Sequence, residues 1–132
     1  MTPHRGEWER LFPPLPDQPL DKIKVLRETA MEYALTILYK GSPTIVVDSR
    51  GNACLAPYGN SGMATAGCGD VLTGCITSLV AQGCKPGDGA ILGAYLHGRA
   101  GEIASEQFGE YSMIAGDVLA SLPAAIKAIV EK

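Results

Sequence analysis

Residues 59–74 read Gly59-Asn60-Ser61-Gly62-Met63-Ala64-Thr65-Ala66-Gly67-Cys68-Gly69-Asp70-Val71-Leu72-Thr73-Gly74, and the character of the chain changes inside them. Up to Gly69 the residues are small and glycine-rich. From Asp70 onward Val71, Leu72, Cys75, Ile76, Leu79 and Val80 recur at helical spacing until Gly83 supplies a stop. The stretch therefore follows a strand and opens a helix. Peptide N–H groups at a helix start have no intrahelical partner and lie at the positive end of the helix dipole, which makes the start an anion site. Gly67 and Gly69 carry no Cβ to obstruct an approaching phosphate. Asp70 falls in the first turn, where a carboxylate is stabilised and can act as a base beside that phosphate. A plain glycine loop with Asp70 as an N-cap is the alternative. No GKS or GKT closes the stretch, so it is not a Walker A loop.

Downstream, Lys85-Pro86-Gly87-Asp88 is a turn with Asp88 as cap, followed by a helix from Gly89 to about Phe108 with small residues at Gly93, Ala94, Gly98, Ala100 and Gly101. A third helix is expected from Ala115 to Lys132, kinked or restarted at Pro123. Upstream, residues 1–20 are broken by prolines, with a turn or two over Glu7-Trp8-Glu9-Arg10-Leu11-Phe12. A helix from an Asp21 cap runs to about Tyr33. Short apolar runs at Ala34–Tyr39 and Thr44–Asp48 read as strands, with Ala53–Ala56 pairing back as a third. The class is α/β with few strands, a β-hairpin plus short strands followed by three C-terminal helices. So small a sheet suggests a portion of a larger fold.

The chain has 132 residues with 46% apolar and 19% charged, enough for one domain and one core. A net charge of −3 leaves no basic surplus to displace counterions, which argues against nucleic acid and anionic membrane as partners. No apolar run approaches the roughly 20 residues of a bilayer span. Cys54, Cys68, Cys75 and Cys84 form no CxxC pair, so free thiols in a reducing, cytoplasmic setting are expected and a zinc site is not.

Beyond the glycine stretch, Lys40-Gly41 stands at the C-terminal edge of a strand, where open α/β sheets bind ligands; a solvated turn lysine is the alternative. His4 sits in a polar cluster at the start of the chain, and its residues alone favour a disordered terminus. His97, mid-helix, reads as a packed, hydrogen-bonded histidine. Cys68 lies where a thiolate would be favoured, but with no adjacent histidine it reads as a small side chain filling a turn.

Taken with Thr2-Pro3-His4-Arg5-Gly6-Glu7, Leu38-Tyr39-Lys40-Gly41-Ser42-Pro43-Thr44-Ile45, and Tyr111-Ser112-Met113-Ile114-Ala115-Gly116-Asp117-Val118-Leu119 followed by Leu122-Pro123, the stretch resembles the ADP/ATP-dependent NAD(P)H-hydrate dehydratases of the ribokinase-like superfamily. The resemblance spans essentially the whole chain, in the family's order. It implies a partial ribokinase-like fold in which residues 1–132 are a single domain, the C-terminal portion of the family's own. It also implies repair of hydrated NADH or NADPH: a nucleotide phosphorylates the ring hydroxyl, and phosphate then leaves.

Carried over by motif, Asp70 would activate the hydroxyl, and Gly67, Cys68 and Gly69 would supply N–H groups to the phosphoryl. Lys40, Gly41, Ser42, Pro43 and Thr44 would line ADP or ATP, with Asn60 and Gly69 also on the nucleotide side. His4 and Asp70 would face the hydrated nicotinamide, which reverses the plainer reading of His4. Magnesium is implied with the phosphates, with no protein residue assigned as its ligand. Cys68 stands where the family commonly has Thr or Ser, which leaves a backbone role. The family also carries several strands ahead of Thr-Pro-His, so self-association or association with a missing N-terminal half is expected. Another ribokinase-like small-molecule kinase and a non-catalytic nucleotide-binding fragment or complementing subunit are the competing readings.

Overall fold

Valine, isoleucine and short turns build the first part of the molecule. A computed structural model describes residues 1–131; Lys132, the expected end of the last helix, lies outside the described residues. By internal contacts the chain divides into two compact units, Met1–Pro57 with Lys85–Ile91, and Tyr58–Cys84 with the chain from Leu92 on.

In the first unit β1 (Ile37–Tyr39), β2 (Thr44–Val47) and β3 (Ala53–Ala56) form an antiparallel meander in the order β1-β2-β3. Ile37 faces Val47, and Tyr39 faces Ile45. These four side chains pack with Trp8, Leu26 and Ala30. Leu38 and Val46, on the opposite face by strand alternation, are buried too. At β1 and β2 both faces are thus covered, which explains why these two strands are uninterrupted apolar runs.

The free edge of β1 carries the N-terminal residues. The Met1 amino group donates to the Thr36 carbonyl at 2.8 Å, while the Leu38 N–H donates to Met1 O and the Lys40 N–H to Pro3 O. This alternation is a parallel ladder. The strand that ends before Lys40 is therefore parallel to Met1–Pro3 and antiparallel to β2.

Several boundaries move, each for a local reason. Helix α1 (Arg5–Trp8) starts before the expected turn because His4 and Glu7 form a reciprocal capping box. Helix α2 (Pro19–Glu32) starts ahead of Asp21, with proline at its first position, where a missing N–H costs nothing. β1 is shorter than the expected strand because α2 ends in a Schellman motif. Leu35 N–H donates to Ala30 O at 2.9 Å, Ala34 N–H donates to Met31 O, and Ala34 sits at φ 51°. The β2–β3 turn is organised by Asp48, whose carboxylate accepts from the Asn52 side chain (2.8 Å) and from the Asn52 and Arg50 N–H groups (2.9 Å each).

The second unit holds a 3₁₀ turn (Ser61–Met63), α3 (Cys68–Ala81), α5 (Ala115–Val130) and the part of α4 (Pro86–Phe108) from Leu92 on. Its core is Cys68, Leu96, Ala100, Ala104, Met113, Val118 and Ala125. The three C-terminal helices are as expected. α4 begins at Pro86 rather than Gly89, and α5 runs through Pro123 without a restart. Pro123 and Leu119, four residues before it, are exposed positions where water can serve the carbonyl that loses its partner.

The first unit yields two expected outcomes. Left-handed backbone costs a non-glycine residue about 1–2 kcal/mol, and glycine's extra chain entropy about 0.5–1, so Ala34→Gly should gain about 0.5–1 kcal/mol in urea denaturation. Asn52, through its side chain and then its backbone, holds the Asp48 carboxyl down at about 2 from an ordinary 3.8. A lowered carboxylate pKa contributes stability above the unfolded value that is lost as pH falls through the folded one. The stability difference between wild type and Asp48→Asn should therefore shrink as pH is taken from about 4 to about 2.

Candidate active site

His4 and Lys40 follow the paired residues Pro3 and Tyr39, so the parallel ladder sets both at one end of the first unit's sheet. Glu7 ties them together. Its carboxylate accepts from the His4 N–H at 2.7 Å and pairs with the Lys40 ammonium at 3.1 Å, while its own N–H donates to His4 Nδ1 at 3.1 Å. The His4 bond first, then Lys40, hold the Glu7 carboxyl below its ordinary range. With Nδ1 accepting, neutral His4 carries its proton on Nε2. Gly41, Ser42, Pro43 and Thr44 continue from Lys40 as the loop into β2, braced by Thr44 Oγ1 donating to Gly41 O at 3.1 Å. Glu7 received no role from the sequence, although the His4-x-x-Glu7 spacing is the signal of the capping box.

The second unit presents the glycine loop. Gly67 caps α3 with φ 92°, a left-handed turn, and a side chain there would press on Ala115 Cβ. Asp70 and Val71 N–H groups close onto Gly67 O at 3.0 and 3.1 Å. Among the described residues the Gly69 N–H has no hydrogen-bond partner. Asp70 is exposed in the same turn, and its carboxylate has no partner among those residues either. A free donor and a free carboxylate at the start of a 14-residue helix suit a phosphoryl group and the hydroxyl that attacks it. Cys68 is buried, and burial pushes its thiol up despite a backbone hydrogen bond with Thr65, so it is held as the thiol and the thiolate tendency of a helix start is overruled.

The loop is mounted on α4. Asn60 Nδ2 donates to Gly101 O at 2.9 Å, its Oδ1 accepts from Gly62 N–H at 3.0 Å, and Gly59 N–H donates to Glu102 at 3.2 Å. Arg99 pairs with Glu102, and Ser61 bonds Glu110. The Met63 side chain lies where a Cβ on Gly101 would be, and Tyr58 lies against Gly98. Asn60, expected on the nucleotide side, thus commits both ends of its amide to the protein.

His97, also on α4, is buried, and the fold supplies Cys68 with the histidine its sequence neighbours lack. Burial lowers the His97 pKa, and a hydrogen bond with the Cys68 backbone opposes that shift, as a bond donated by the ring does. Its Nε2 is buried with no hydrogen-bond partner among the described residues. Neither Glu102 nor the His97 bond has a local sequence signal.

The family model for NAD(P)H-hydrate dehydratase matches residues 1–124. The chain belongs to the NAD(P)H-hydrate dehydratase family. A bifunctional NAD(P)H-hydrate repair enzyme of Moorella thermoacetica is 44% identical, over 100% of this chain and 25% of its own length. The ADP/ATP-dependent NAD(P)H-hydrate dehydratase of Bacillus subtilis, co-crystallized with ATP/Mg2+, superposes with a TM-score of 0.78 at 29% identity, over 96% of this chain and 46% of that one. A ribokinase-like superfamily protein of Enterococcus faecalis gives 0.78 at 30% identity, over 99% and 44%. The ribokinase-like resemblance thus holds over about half of those solved chains, and the chain spans about a quarter of the Moorella relative.

The mount makes one outcome specific. A Cβ on Gly98 would meet Tyr58 and Gly59 backbone atoms at 2.9 and 3.1 Å, so the loop cannot yield by a rotamer change. Gly98→Ala should cost about 1–3 kcal/mol in chemical denaturation.

Proposed function

We propose that this chain carries the phosphoryl-transfer side of an ADP- or ATP-dependent NAD(P)H-hydrate dehydratase, working as one domain. The observation that carries the reading is the unpartnered Asp70 carboxylate beside the free Gly69 N–H at the start of α3. Asp70 takes the proton of the ring hydroxyl as its oxygen attacks the terminal phosphorus of the nucleotide, which leaves one phosphate shorter. Gly67, Cys68 and Gly69 form the backbone cradle, and the Gly69 N–H stabilises charge growing on the transferred group. The ring C–O bond then breaks, phosphate departs, and loss of a proton from the neighbouring carbon restores the double bond.

Lys40, Gly41, Ser42, Pro43 and Thr44 line the nucleotide, Asn60 shapes the loop on that side, and His4 contacts the hydrated nicotinamide. Among the described residues no three His, Cys, Asp or Glu side chains group to hold a metal. Nucleotide-borne magnesium keeps most of its waters and needs no such group. It would supply charge neutralisation on the phosphates. Association with a second copy or with a separate N-terminal half completes the substrate side, and the free thiols suit a cytoplasmic setting.

Recovery of NADH absorbance from hydrated NADH, with magnesium and ADP or ATP, tests the reading. Asp70→Asn should lower kcat by about 10²–10⁴-fold while ADP still binds. Nucleotide binding without turnover by wild type would instead support a binding fragment.

A further inference from the structure

The third residue of a capped helix needs only an acceptor to complete a capping box, so glutamine serves there as well as glutamate. Glu7 holds that position in α1 and does more than cap. Its Oε2 accepts from the His4 N–H at 2.7 Å and meets the Lys40 ammonium at 3.1 Å on the same atom. The Lys40 N–H donates to Pro3 O at 2.8 Å, so this lysine is held at both ends, by its peptide and by its ammonium. Among the described residues no other carboxylate pairs with it. An ammonium has three N–H donors, and one spent on Glu7 leaves two for a ligand.

We propose that Glu7 is a positioning residue of the nucleotide site, its carboxylate tying the Lys40 ammonium to the His4 backbone so that the lysine meets the nucleotide already aimed. The inference rests on the reading of Lys40 as a nucleotide contact and of His4 as a nicotinamide contact. It explains why a charge stands where the cap needs only an acceptor. A lysine side chain has much rotamer freedom to lose on binding, and one ordered beforehand loses less when the nucleotide arrives. Coulomb's law alone predicts the opposite sign, since a carboxylate near a polyanion repels it. The direction of the effect therefore separates positioning from charge.

Two variants separate the charge from the cap. Glu7→Gln keeps an acceptor for the His4 N–H and removes the charge that holds Lys40, whereas Glu7→Ala removes both. In the protein without ligand, the Lys40 ε-methylene resonances should move towards those of a mobile lysine in Glu7→Gln while the His4 amide stays in place; in Glu7→Ala both should move. Calorimetry with magnesium and ADP should show the Kd raised about three- to fivefold in Glu7→Gln. KM for ADP should rise with it, and kcat should stay within about twofold of wild type. In a Lys40→Met background the same substitution should change the Kd by less than about 1.5-fold, because its effect runs through the lysine.

ADP bound as tightly or more tightly by Glu7→Gln overturns the proposal. So do Lys40 resonances that ignore the substitution, a result that requires no nucleotide binding, and so does an undiminished effect in Lys40→Met. Any of these alongside turnover by wild type sinks the positioning and leaves the dehydratase reading standing. If the Lys40 resonances and the Kd respond as expected while even wild type shows no turnover, the positioning is supported and the dehydratase reading is what fails. A wild type that binds no ADP takes down the nucleotide reading and this inference together.

Discussion

The close approach of the loop to α4 at Gly98 and Gly101 governs the glycine-loop end of the second unit. A loop rich in glycine has little side-chain packing of its own and a high entropy cost of ordering. Here the order comes from α4, where two missing side chains leave a notch for Tyr58 and Met63. Asn60 and Glu102 then fix the loop's polar groups at 2.9 and 3.2 Å. The order of the glycine loop is thus set from α4.

Charge is handled differently in the two clusters. Around Glu7 every group is paired: carboxylate with ammonium, imidazole nitrogen with N–H. Around Asp70 the groups are left open, donor and base alike. A paired cluster is rigid and locally neutral, suited to shaping a wall. An open one holds unmet hydrogen-bonding capacity at a helix start, which a phosphoryl group can satisfy.

What could be read in the sequence was what depends on near neighbours. The helical period after Asp70, the apolar runs of β1 and β2, and the glycines flanking Cys68 each declare themselves within a few residues. The boundary differences at α1 and at the end of α2 arose from caps: a histidine in the role usually taken by serine or aspartate, and an alanine in a left-handed position usually held by glycine. The pairing of Met1–Pro3 with β1 spans about 35 residues, and the His97 contact joins two helices, so no local pattern announces either. His97 is packed as its sequence position suggests, but its buried Nε2 has no partner among the described residues. Lys40 and His4 were singled out by motif, and the glutamate between them was passed over because its effect lies in what it holds.

Cys68 lends the glycine loop its backbone while its side chain is buried. The neighbouring Gly69 N–H has no partner among the described residues, and burial pushes the Cys68 thiol up. A serine or alanine at Cys68 would keep that backbone, whereas Gly67, at φ 92° with Ala115 Cβ beside it, has little room for any side chain.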